Sequence, residues 1–112
     1  TFSAYYLIPD LNHHLMEGMM YPKSNRNNVL FVLLESSLYY DRVQKRHKVT
    51  KKVFEKNKIA YEAFSSQESD RLLQVCECLV FSSYVSYYSG LLKKIDPTAI
   101  PYVDLFKKEM SK

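Results

Sequence analysis

The sequence predicts an α/β fold: a three-layer arrangement in which a parallel sheet is flanked by helices, with this chain supplying part of the domain. Three observations carry that expectation. Val29 to Leu34 is a continuous apolar run bounded by polar residues, and a strand apolar on both faces belongs inside a sheet that helices cover from both sides. The amphipathic stretch "DRVQKRHKVTKKVFEKNK" comes next, and "IAYEAF", Ile59 to Phe64, then alternates as a second strand does. Strand, helix and strand within about forty residues make a right-handed crossover unit of parallel strands.

The elements follow in order. Before Val29 the chain has no clear period. In the first long helix, Val43, Val49, Val53 and Phe54 stand among alternating charges, and the helix ends near Asn57. Ser65 with Glu68 spells a capping box, which places the start of a long helix there. From Leu79 to Leu92 that helix is apolar on nearly all sides, relieved by serines and Gly90, so most of its surface is expected to be buried. Ser82, Ser86 and Ser89 form a small-residue stripe where a helix of another domain or of a second subunit can approach. Asp96 and Pro97 break the helix. Pro101 suits the first turn of a terminal helix that carries Val103, Phe106 and Met110 inward. Two strands do not make a doubly covered sheet by themselves, so the chain reads as part of a domain.

Composition narrows the function classes. A chain 46% hydrophobic and 25% charged is globular in composition, which argues against disorder. Ten tyrosines and six phenylalanines with no tryptophan suit half-buried surfaces, an interface as readily as a core. The net charge of +4 gathers around Arg42, Lys45, Arg46, Lys48, Lys51 and Lys52. Because apolar residues interleave those charges at helical spacing, a solvated helix face is favoured over a nucleic-acid site.

Cys76 and Cys78 are two apart in a helical pattern. They face different directions, so they neither bridge each other nor share a metal. They are expected to be small buried hydrophobes in a reducing compartment. No apolar run reaches membrane-spanning length, and the opening residues do not read as a signal peptide. The expectation is a soluble, cytoplasmic protein with neither membrane nor nucleic-acid partner.

The stretch "LNHHLMEGM", Leu11 to Met19, concentrates the candidate chemistry. On a helix, His13 and Glu17 share a face, as do His14 and Gly18. A zinc site needs further ligands at matched spacing, and the sequence supplies none. A Ser-His-Asp or Cys-His nucleophile has no context around Ser36 or Cys76. General acid–base work by one histidine needs no metal, because imidazole changes charge near neutral pH. Against it stands a surface turn in which Asn12 caps a helix and the histidines cover its first turn. The residues alone leave those two readings open.

Four blocks carry a resemblance: "LIPDLNHHLMEGM", "VQKRHKVTKKVFEK", "YVSYYSGLLKKIDPT" and "VDLFKKEM". In this order they resemble the C-terminal portion of the bifunctional phosphoglucose/phosphomannose isomerases of the sugar isomerase (SIS) superfamily. The family's Asn-His pair is matched by Asn12 and His13, and its Arg-x-x-x-Thr helix by Arg46 to Thr50. Tyr84 to Tyr88 matches the Tyr-Val-Ser-Tyr-Tyr helix, Asp96 to Thr98 the Asp-Pro-Thr turn, and Lys107 with Lys108 the paired lysines. Asp10, Ser83 and Ala99 depart from the residues common there.

The resemblance implies that residues 1–112 form the C-terminal part of a second SIS domain, with a Rossmann-type sheet. It implies interconversion of glucose 6-phosphate, and also mannose 6-phosphate, with fructose 6-phosphate through a cis-enediolate. His13 would be catalytic, opening the sugar ring, with His14 more structural. Lys107 would also be catalytic, stabilising developing charge, with Lys108 as the alternative register. Asn12 and Thr98 would bind substrate, although Thr98 also suits a cap of the last helix. The carboxylate base that removes the C2 proton would come from a helix before Thr1, with Glu17 orienting the turn or pairing with a cation. The phosphate-cradling Ser/Thr loop would lie in the first SIS domain. A homodimer with an active site shared between subunits, a sugar phosphate substrate and no cofactor complete the implied picture, and the fragment alone would be inactive. The rival readings are a non-catalytic SIS-like module binding a sugar phosphate or a partner, and a basic nucleic-acid-binding domain.

Overall fold

The apolar run after Asn28 forms a strand, and it pairs with the next strand in parallel. A computed structural model of the chain describes residues 3–19, 21–96 and 98–111. Its elements run α1 (Ile8–Asp10), a wide helical turn (Leu11–Leu15), α2 (Met16–Gly18), α3 (Lys23–Arg26), β1 (Phe31–Glu35), α4 (Asp41–Asn57), β2 (Tyr61–Ser65), α5 (Arg71–Leu92) and α6 (Pro101–Met110). The chain divides into two units, one up to Cys78 and one from Leu79 onward.

In the first unit β1 and β2 are parallel neighbours, with Phe31 opposite Tyr61 and Glu35 opposite Ser65. The strand, helix and strand of the sequence reading are therefore present as an α/β unit. The core gathers on one face of this sheet: Leu33, Phe54, Ile59 and Leu11 are buried, with Ile8, Leu15, Met19, Phe31 and Tyr61 packed around them. Phe54 sits between two rings, 4.9 Å from Phe31 and 5.6 Å from Tyr61. The opposite face of β1 is open, since Val32 is 44% and Leu34 41% exposed against 5% for Leu33. Side chains two apart on a strand share a face, so the described residues cover one side of the sheet.

α4 buries His47, Thr50 and Phe54, spaced three and four residues apart along one face. Of the four apolar residues expected on that face, Phe54 is buried and Val43 and Val53 are half-buried, while Val49 is exposed. Apolar character alone left the buried face incomplete, because a histidine and a threonine are buried on it together with Phe54. The helix closes at Lys58, which takes the left-handed conformation (φ 56°). The Lys58 N–H bonds the Glu55 carbonyl, and the Ile59 N–H bonds that of Phe54 at 2.9 Å. This is a Schellman closure, with Ile59 packed back on the core beside Phe54.

α5 starts later than the Ser65–Glu68 pattern predicts. Ser65 ends β2 and directs its hydroxyl toward Glu35, 3.4 Å away. Asp70 makes the cap instead: its Oδ1 accepts from the Leu72 N–H at 2.8 Å and the Leu73 N–H at 3.1 Å. The expectation of buried cysteines also fails, since Cys76 is exposed and Cys78 half-buried.

In the second unit, α5 ends at Leu92, before Asp96; Pro97 lies outside the described residues. Lys94 adopts the left-handed conformation (φ 55°), and the Ile95 N–H reaches back to the Gly90 carbonyl at 3.0 Å. Pro101 opens α6 as expected. The burial predicted for these helices is not found: Tyr84, Tyr88, Val103, Phe106 and Met110 are all exposed. An all-round apolar helix is buried only when neighbours press on several sides, and the described residues bury none of these five.

Candidate functional site

Leu11 anchors the start of the histidine stretch, because its side chain is part of the core. Asn12 follows, and its fate is tertiary rather than local. It caps no helix; its amide nitrogen donates to the Thr50 hydroxyl oxygen at 2.7 Å, across 38 residues of sequence. Thr50 is fully buried, and its own O–H donates to the Arg46 carbonyl one turn back at 2.8 Å. With that proton spent, the Thr50 oxygen meets Asn12 as an acceptor, so Asn12 presents its nitrogen. The Asn12 Oδ1 is buried and has no partner among the described residues.

His13 comes next, and its backbone leaves the helical region (φ −114°, ψ −122°) while Leu11, Leu15 and Met16 remain helical. The break lifts the imidazole onto the surface, where His13 and His14 are both exposed and meet edge to face, ring centroids 4.0 Å apart. A continuous helix would have aligned His13 with Glu17. The break removes that alignment, and no hydrogen bond or ion pair joins Glu17 to either histidine among the described residues.

A second polar cluster sits at the carboxyl ends of β1 and β2. The Lys51 ammonium bridges both oxygens of Glu35, at 3.0 and 3.1 Å. His47 lies beside them, its Nδ1 3.7 Å from Glu35 and buried without a hydrogen bond among the described residues. Burial pushes the His47 imidazole below its ordinary value; Glu35 opposes that shift and Lys51 adds to it. The Tyr39 ring stacks on His47, centroids 5.8 Å apart, and burial raises the Tyr39 phenol. The Ser36 hydroxyl donates to the Gln74 side-chain oxygen Oε1 at 2.5 Å, and the Ser66 hydroxyl bonds the Glu77 carboxylate, holding that carboxyl below the usual range. Of these, Glu35, Ser36, His47, Lys51 and Ser66 line a cleft of about 250 Å³. Sequence reasoning passed over this cluster, although His47 and Lys51 are four apart and so share a helix face.

The remaining sequence-predicted residues lie in the second unit. Thr98 does not cap α6, whose first flanking residue, Ile100, makes no side-chain cap. Its N–H and hydroxyl both donate to Asp96 Oδ1, at 2.8 and 2.7 Å, which holds the Asp96 carboxyl below the usual range. Lys107 and Lys108 are exposed in the last turn of α6. Asn12 and His13 are thus adjacent in one unit, and Thr98 and Lys107 belong to the other.

Among the described residues no three histidine, cysteine or acidic side chains group as metal ligands, and no helix is long and apolar enough to cross a membrane. Over residues 1–110 the chain matches a family described as the bacterial phospho-glucose isomerase C-terminal SIS domain. No curated protein and no solved structure matches it.

Proposed function

Since the chain belongs to the bacterial phospho-glucose isomerase C-terminal SIS domain family, a family of sugar-phosphate isomerases, we propose that it is the later part of the second SIS domain of an aldose–ketose isomerase. The substrates in this reading are glucose 6-phosphate and mannose 6-phosphate, each interconverted with fructose 6-phosphate. In the complete domain β1 and β2 join further strands of a three-layer sheet, and the open apolar face at Val32 and Leu34 supports such a cover.

His13 opens the sugar ring, giving a proton to the ring oxygen as the anomeric hydroxyl loses one. A carboxylate, which the resemblance places before Thr1, then removes the C2 proton as electron density moves onto O1. The cis-enediolate so formed is stabilised by Lys107. Return of the proton at C1, with the hydroxyl proton passing from O2 to O1, leaves the ketone at C2. Asn12 and Thr98 line the sugar. The exposed tyrosines of α5, Tyr84 and Tyr88, suit the contact face of a cytoplasmic homodimer whose subunits share the site.

The observation that carries this reading is the family match across almost the whole chain, with His13 raised to the surface on a turn held by Asn12 as its local support. A coupled assay of fructose 6-phosphate conversion on the full-length protein tests it. His13→Ala should lower kcat by about two orders of magnitude, the usual worth of a general acid–base group. A folded, dimeric full-length protein without isomerase activity would overturn the reading in favour of a sugar-phosphate-binding module.

A further inference from the structure

A histidine that passes protons must be held in place, yet His13 is exposed and sits at a break in the helix. Catalytic geometry tolerates displacements of only about 0.5 Å before rate is lost. The support comes from α4. Its inner face is packed: Phe54 lies in the core, the Schellman closure ends the helix beside it, and Thr50, one turn earlier, is fully buried. Thr50 commits its hydroxyl proton to the Arg46 carbonyl and turns its oxygen toward Asn12. That bond fixes which way the Asn12 amide points and where the peptide leading into His13 begins.

We propose that Thr50 is a positioning residue that acts through Asn12 on His13, an inference that rests on the isomerase reading above. Thr50 touches no substrate. Its oxygen is the fixed point from which the Asn12–His13 turn is held.

The test uses the full-length enzyme with four variants. Thr50→Val keeps the shape of the side chain and removes the acceptor, Thr50→Ser keeps the acceptor, Thr50→Cys weakens it, and His13→Ala is the reference for loss of the histidine. The expected result is a fall in kcat of roughly ten- to a hundred-fold for Thr50→Val with KM changed by less than about three-fold, since a displacement of about 1 Å remote from the chemistry costs up to that much. Thr50→Ser should recover most of the rate and Thr50→Cys should fall between. The C2 proton resonance of His13 should move in Thr50→Val and return in Thr50→Ser, which a change in general stability would not produce. A folded Thr50→Val enzyme with wild-type kcat, while His13→Ala is inactive, overturns the inference. So does a Thr50→Ser enzyme as impaired as Thr50→Val, because the methyl group rather than the hydroxyl would then matter. If Thr50→Val does not fold, Thr50→Cys decides, and full activity there overturns the inference. Full activity in His13→Ala would instead defeat the isomerase reading of His13 itself.

Discussion

The Asn12 amide nitrogen lies 2.7 Å from the Thr50 hydroxyl oxygen, a side-chain bond that spans 38 residues of sequence. It ties the turn bearing His13 to the buried face of α4, at a point where the helix is packed against the only sheet among the described residues. In the sequence, position 12 also suits a helix-capping asparagine. Its amide nitrogen instead reaches Thr50, beside the break at His13.

The paired lysines of α6 give the first prediction. If Lys107 stabilises the enediolate charge, Lys107→Ala should lower kcat by about a hundred-fold, the scale of losing one fixed donor to developing charge. Lys108→Ala should stay within a few-fold of the parent enzyme. Steady-state kinetics on both variants settle the register, and the opposite ranking would move the role to Lys108.

His47 should make stability depend on pH. Burial holds its imidazole below the ordinary value of 6.5, so between the two values the unfolded chain binds a proton that the folded chain refuses. Stability therefore rises with pH across that window. Above about 6.5 the group carries no penalty; the penalty grows as pH falls from there and is complete below the folded value. Urea melts at pH 7, 6 and 5 should show a smaller loss of stability in His47→Gln than in the parent. Equal losses in the two proteins would mean that His47 does not contribute, leaving the Glu35–Lys51 pair next to it as the group to examine.

The start of α5 supplies a third. Asp70→Ala removes the acceptor for two backbone N–H groups and should cost about 1 kcal/mol, as loss of an N-cap does. Ser65→Ala removes only a long contact to Glu35, 3.4 Å in length, and should fall within about 0.5 kcal/mol of the parent. Chemical denaturation followed by circular dichroism separates them. A larger loss for Ser65→Ala would return the cap to the Ser65–Glu68 box.

The order of strand, helix and strand was legible in the sequence because period and apolar content are local properties. β1 and β2 begin within two residues of the expected runs, and α4 ends at Asn57 where the pattern ends. The family was legible too, through blocks whose order survives without knowledge of their contacts. What the tertiary structure alone decided was the use of particular polar side chains. Asn12 could have capped a helix and Ser65 could have opened one; each instead turned to a partner on another element, Thr50 and Glu35. His47 and Thr50, polar residues in a helix that reads as charged, are buried together with Phe54. A polar side chain follows the donor or acceptor that folding brings within hydrogen-bond reach, and for Asn12 and Ser65 that partner lies 38 and 30 positions away along the chain, beyond the reach of any local pattern.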